Sequence, residues 1–199
     1  MDKIESAMEL AFRAHLTQKR KSSGIPYFTH CVEVMKRVSD YGVCNEDVLA
    51  AALLHDVHED APKYSEIVRS QFGNGVYSIM LACSRPERDD ATKEEKFNFL
   101  CSFDEKSTAS IIIKIADRYC NVNDYMRTKG KEKYASTYAL QAFPIYAAFV
   151  ERAIEDAHYF EDEVVKKVLA EIATLQTIAR MVYPKSISLS IEEIKEIVT

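Results

Sequence analysis

Apolar residues at Ile4, Ala7, Met8, Ala11 and Phe12, with Leu16 one turn on, repeat at the i, i+3, i+4, i+7 spacing and predict an amphipathic helix over residues 4–17. The polar stretch from Gln18 to Pro26, with Ser22-Ser23-Gly24 inside it, breaks that period and reads as a loop. A second helix is expected from about Thr29 to Tyr41, stopped by Gly42, which can take the left-handed cap conformation. Asn45 can cap a third helix, with Glu46 and Asp47 set against its N-terminal dipole. That helix continues through Val48-Leu49-Ala50-Ala51-Ala52-Leu53-Leu54, apolar nearly all round and therefore core, until Pro62 ends it.

Further helices are predicted near 65–72, 75–83, 93–103, 106–127, 131–159, 163–182 and 190–198. Thr92 with Glu95 and Ser190 with Glu193 fit capping boxes, and Pro144 should kink or divide the 131–159 segment. Residues 84–90 form the most polar break. No segment alternates with the period of a strand, and no repeat or linker interrupts the chain. The expected fold is all-α, a single helical bundle domain over residues 1–199.

Composition narrows the partners. The 199 residues are 47% hydrophobic with a net charge of -5, so bulk attraction for nucleic acid or an anionic membrane is absent. Neither partner is expected, and a polyanionic substrate would need locally placed basic residues. The N-terminus is charged at once and lacks the apolar core of a signal peptide. The five cysteines, Cys31, Cys44, Cys83, Cys101 and Cys120, are odd in number and contain no C-x-x-C pair. They suggest small buried hydrophobes in a reducing cytoplasm rather than a disulfide framework or zinc knuckle. Oligomeric state is left open.

The chemistry-bearing residues are His55-Asp56 followed by Glu59-Asp60, at the end of an apolar helix. On one continuous helix these four would share an arc of roughly 140°. Burying them is costly unless a cation balances the carboxylates and takes an imidazole nitrogen. The plainer alternative is a solvated helix end. One His and one Asp do not complete a hydrolytic metal site, but His30 and Asp117 could. Asp117 follows the apolar run Ile111-Ile112-Ile113-Lys114-Ile115-Ala116, where an Asp is unusual. Taken singly, His30 could be structural and Asp117 could pair with Arg118. Together with His55-Asp56 they form a His₂Asp₂ set suited to Mn²⁺, with iron, zinc or magnesium as alternatives.

His30, His55-Asp56 and Asp117 have the order of the H…HD…D signature, and here the chain resembles HD-domain phosphohydrolases. Ala14-His15, Gln18, Arg20-Lys21, Gly24, Pro26-Tyr27 and His30 look like the opening motif of Rel/Spo-type alarmone hydrolases. Ala52-Leu53-Leu54-His55-Asp56-Val57-His58-Glu59-Asp60 resembles their second motif, and Lys114-Ile115-Ala116-Asp117-Arg118 with Asn121 and Asp124 their third. The matching motifs lie between about 7 and 125.

The resemblance implies an all-helical HD fold, one manganese ion, and hydrolysis of guanosine 3′,5′-bispyrophosphates with release of the 3′-pyrophosphate. It assigns His30, His55, Asp56 and Asp117 as metal ligands. Glu59 and Asp60 would activate or orient water, with Glu59 the first candidate for the proton. Arg20, Lys21, Asn121 and Asp124 would face the nucleotide; without the resemblance Arg20-Lys21 reads as a solvated basic run.

Two positions depart from the family pattern. His58 stands where a small or β-branched residue is expected, and on a helix it falls about 60° from His55, away from Asp56. It is read as supporting or surface rather than a fifth ligand. Asp124 replaces the Thr of many long Rel/Spo proteins. His15 is expected to pack or bond near the first loop, and His158 has no evident partner. The rival functions are an HD phosphohydrolase for another nucleotide, such as NADPH or a deoxynucleotide, and a catalytically silent nucleotide-binding regulator.

Overall fold

The computed structural model describes residues 2–85, 91–155 and 162–199. The core of the polar break at 86–90, the end of the 131–159 segment and His158 lie outside the described residues. The described chain is helical, and its only extended pairing is an isolated bridge between Lys19 and Pro26. It forms two compact units, Met1–Glu87 and Arg88–Thr199.

In the first unit, α1 (Lys3–Ala14) opens on a capping box that the apolar period does not announce: the Asp2 carboxylate accepts from Glu5 N, and the Glu5 carboxylate accepts from Asp2 N. The helix ends before residue 17. α2 (Phe28–Asp40) stops at Gly42, which takes φ +104° as the cap requires. α3 (Glu46–Leu54) is capped by Asn45, whose Oδ1 accepts from Asp47 N and Val48 N. Its residues Ala50 to Leu54 are all fully buried, consistent with an apolar surface all round. α3 packs against α1 and α2 and against the long helix that follows over Ser65–Cys83. Burying Leu53 and Leu54 contributes about 1.5–3 kcal/mol each.

The expected continuous helix to Pro62 is not what forms. The chain breaks at Asp56 (φ -103°, ψ 0°), and a four-residue helix, α4 (Val57–Asp60), follows. Pro62 then opens a 3₁₀ turn, Pro62–Tyr64. α5 (Ser65–Cys83) is kinked at Gly73, which has φ +85° and ψ 174°, so the two predicted segments either side of it are distinct helical stretches. A Cβ at Gly73 would meet no atom within 4 Å, so glycine is needed there for its backbone angles and not for space.

The second unit comprises α6 (Lys93–Cys101), α7 (Thr108–Arg127), α8 (Glu132–Gln141), α9 (Phe143–Glu155), α10 (Asp162–Arg180) and α11 (Ile191–Val198). Both predicted capping boxes, at Thr92 and Ser190, are present. Pro144 divides the 131–159 segment as expected, sitting in the first turn of α9, where its missing N–H removes no helical bond. α7 carries the core of this unit in Ile111, Ile113, Ile115 and Ala116, and packs on α8, α9 and α10. Cys31, Cys83 and Cys120 are buried, Cys101 is half-buried and Cys44 is exposed; all are free thiols. No helix among the described residues is long and apolar enough to cross a membrane.

Candidate metal centre

The break at Asp56 is what builds the site. Neighbours i and i+1 on a regular helix point about 100° apart and do not face each other. Because the helix stops at His55 and the backbone turns at Asp56, Asp56 Oδ2 comes within 2.9 Å of His55 Nε2. His30, from the first turn of α2, brings its Nε2 to 3.8 Å from the same oxygen. Its ring meets that of His55 edge-on at 5.2 Å. One ligand atom from each of His30, His55 and Asp56 lies within 4.8 Å of the others, and all three residues are buried.

The protonation pattern suits a cation. His55 Nδ1 lies 2.8 Å from the Ala52 carbonyl, which can only accept, so Nδ1 carries the hydrogen. In the neutral ring this leaves the Nε2 lone pair on the side of the Asp56 carboxylate, where a cation would be held between the two. Tyr27 Oη donates to Asp56 Oδ2 at 2.5 Å and fixes that carboxylate from the loop side. Such outer partners are the usual supports of metal-binding imidazoles and carboxylates. The donor set fits a divalent metal.

Glu59 and Asp60 flank this cluster in different environments. Both Glu59 oxygens accept from Arg85, one from its backbone N and one from its guanidinium. Asp60 Oδ2 instead accepts from Gln18 Nε2 at 2.8 Å. Although Asp60 keeps an exposed edge, burial of its carboxyl and then the nearby Asp56 charge push its pKa up, opposed by the Gln18 bond. Arg85 carries no signal in the sequence, because it lies in a polar loop with no period or motif. His58 turns to Ser65, with Nδ1 2.8 Å from its Oγ, and is not among the three grouped ligand residues His30, His55 and Asp56.

The proposed nucleotide-facing residues are placed as follows. Arg20 is buried, with Nη1 3.1 Å from Glu33 Oε2, contrary to a solvated basic run; the adjacent Lys21 is exposed. In the second unit, Asp117 on α7 is buried and engaged at both oxygens, by Lys114 Nζ at 2.9 Å and by Asn121 Nδ2 at 2.6 Å. The expected alternative partner, Arg118, instead stacks over Tyr138 at 4.8 Å. Asn121 thus orients Asp117, while the Asp124 carbonyl accepts from Thr128.

Residues 7–153 match the family model described as HD domain. A Streptomyces coelicolor protein named GTP pyrophosphokinase is 31% identical over 154 residues, 75% of this chain and 18% of that one. An Aquifex aeolicus protein named guanosine-3′,5′-bis(diphosphate) 3′-pyrophosphohydrolase is 28% identical over 155 residues, 76% of this chain and 21% of that one. A Haemophilus influenzae protein of the same name is 35% identical over 126 residues, 61% of this chain and 18% of that one. The chain therefore spans about a fifth of these curated relatives. Among solved structures, one described as "A metazoan ortholog of SpoT hydrolyzes ppGpp and plays a role in starvation responses" superposes with a TM-score of 0.70 at 23% identity, covering 87% of this chain and 96% of that one. The helical order, the buried His-His-Asp cluster and a family match over nearly three-quarters of the sequence lead to one conclusion: the chain belongs to the HD domain family.

Proposed function

We propose that the protein is a metal-dependent hydrolase that removes the 3′-pyrophosphate of guanosine 3′,5′-bispyrophosphates, with Mn²⁺ as its metal. The observation that carries this reading is the buried His30–His55–Asp56 cluster with Glu59 and Asp60 beside it, inside an HD domain whose relatives include proteins named for that reaction. The family match runs through both compact units, which supports treating residues 1–199 as one HD domain. His30, His55 and Asp56 hold the metal, and Asp117 is assigned as the fourth ligand from the motif order. The bound ion would lower the pKa of a coordinated water and polarise a phosphoryl oxygen.

The chain supplies the remaining chemistry. Water attacks the phosphorus attached to the ribose 3′ oxygen, the P–O3′ bond breaks, and the departing 3′ oxygen receives a proton. The products are GDP, or GTP from the pentaphosphate, and intact pyrophosphate. Asp60, with one oxygen anchored and the other open, is the better placed carboxylate to take the water's proton. Glu59 is held at both oxygens by Arg85, one by its backbone N–H and one by its guanidinium, so it serves to orient. This division reverses the order suggested by sequence. Arg20, Lys21, Asn121 and Asp124 are proposed nucleotide contacts, Arg20 with its Nη1 on Glu33. The cell compartment is proposed to be the cytoplasm.

Chromatography of the products with added Mn²⁺ tests the reading across guanosine bispyrophosphates, NADPH and deoxynucleotides. Guanosine tetraphosphate should yield GDP and pyrophosphate. Stepwise orthophosphate release, or turnover only of nucleotides lacking a 3′-pyrophosphate, would assign the site to the rival phosphohydrolase class. Binding without turnover would identify a regulator.

A further inference from the structure

The loop between α1 and α2 contains a hydrogen-bonded chain that the metal site does not account for. His15 caps the end of α1 and is buried. Its Nδ1 lies 2.6 Å from Gln18 Oε1, and Gln18 Nε2 lies 2.8 Å from Asp60 Oδ2, across 42 residues of sequence. The directions are fixed by chemistry. An ionised carboxylate can only accept, so the Gln18 amide nitrogen faces it, and the Gln18 oxygen is left to accept from His15. A flipped amide would set two acceptors against each other.

The Gln18 backbone is pinned on both sides, its N–H donating to the His15 carbonyl at 3.0 Å and its carbonyl accepting from Tyr27 N at 2.9 Å. The His15 ring packs on the Tyr27 ring at 5.1 Å, and Tyr27 is the residue that anchors Asp56. One loop therefore reaches two carboxylates one helical turn apart, Asp56 through Tyr27 and Asp60 through Gln18. Asp60 Oδ1 receives no hydrogen bond among the described residues and is the oxygen left for the reaction.

We propose that Gln18, itself set by His15, is a positioning residue that fixes the rotamer of Asp60 so that its second oxygen faces the attacking water. Asp60 is exposed at the end of a four-residue helix, and the bond from Gln18 is the hydrogen bond its side chain receives among the described residues. Losing such a support typically costs about 10- to 100-fold in activity. The proposal rests on the proton-accepting role given to Asp60 above.

The test is a double-mutant cycle on the full chain with Gln18→Met, which keeps length and removes both polar ends of the amide, and Asp60→Ala. kcat for Gln18→Met should fall at least about 10-fold, with KM and metal content within about 2-fold of wild type. In the Asp60→Ala background the same change should have no further effect on kcat. His15→Leu should mimic Gln18→Met, whereas His15→Asn, whose amide can stand in for Nδ1–H, should restore kcat to within about 3-fold of wild type. Multiplicative losses, or a Gln18→Met effect confined to KM, would overturn the proposal. The same cycle read by denaturant unfolding of metal-free protein keeps the question separate from substrate identity. If wild type turns over no guanosine bispyrophosphate, the functional reading fails. A non-zero Gln18–Asp60 coupling in unfolding would then still support the positioning contact, and zero coupling would remove it.

Discussion

Lys114→Met tests the electrostatics of α7 directly. Lys114 and Asp117 are 6% and 4% exposed, and Nζ lies 2.9 Å from Oδ2. With an effective dielectric constant near 20, the direct attraction at that separation is about 6 kcal/mol, and desolvation of both ions takes back much of it. Removing the cation alone leaves a buried carboxylate without its ion-pair partner, which costs about 3–5 kcal/mol. Asn121 still donates to Oδ1, so the lower end, about 3 kcal/mol, is expected. For a chain of this size that corresponds to a Tm drop of about 6–12 °C. Thermal unfolding of metal-free protein, followed by circular dichroism and calorimetry, measures it. The Lys114→Met, Asp117→Leu double variant should be less destabilised than Lys114→Met, because the buried carboxylate is removed together with the cation. Saturating Mn²⁺ should narrow the gap between Lys114→Met and wild type if Asp117 is a ligand, since the ion then replaces the lost lysine charge. A metal-free loss below about 1 kcal/mol, or a double variant worse than the single, would refute the reasoning.

Other expectations concern the site in the first unit. His55→Ala and Asp56→Ala should each abolish uptake of a divalent ion, read by elemental analysis after dialysis; full occupancy in either would show that the cluster is not the metal site. Tyr27→Phe removes the donor to Asp56 Oδ2 and should weaken Mn²⁺ binding about 10-fold in calorimetric titration, with helicity unchanged. An unaltered affinity would make Tyr27 a packing residue only. Asp60→Asn should lower kcat by about 10²-fold or more with metal retained, and Glu59→Gln by less. The reverse order in steady-state kinetics would return the proton to Glu59.

The elements whose signals are local were legible in the chain itself. Apolar periodicity gave α1, α2 and the long helices, Gly42 and Asn45 marked termini, and Thr92 and Ser190 announced capping boxes, because each depends on residues within one or two turns. His55 and Asp56 were legible for another reason: ionisable residues that follow an apolar run are costly to bury, which marks them within the linear chain. Tertiary structure alone decided how they meet. Periodicity treats 46–60 as one helix and spreads the acidic groups along an arc, whereas packing breaks the helix at Asp56 and turns its carboxylate onto the His55 imidazole. The partners of the acid pair were equally hidden, since Gln18 reaches Asp60 across 42 residues and Arg85 reaches Glu59 across 26. Arg20, outwardly one half of a basic dipeptide, is buried against Glu33 while Lys21 is exposed, a distinction made by the fold of the loop. A sequence records which groups are expensive to bury; only the folded chain determines which group compensates each one.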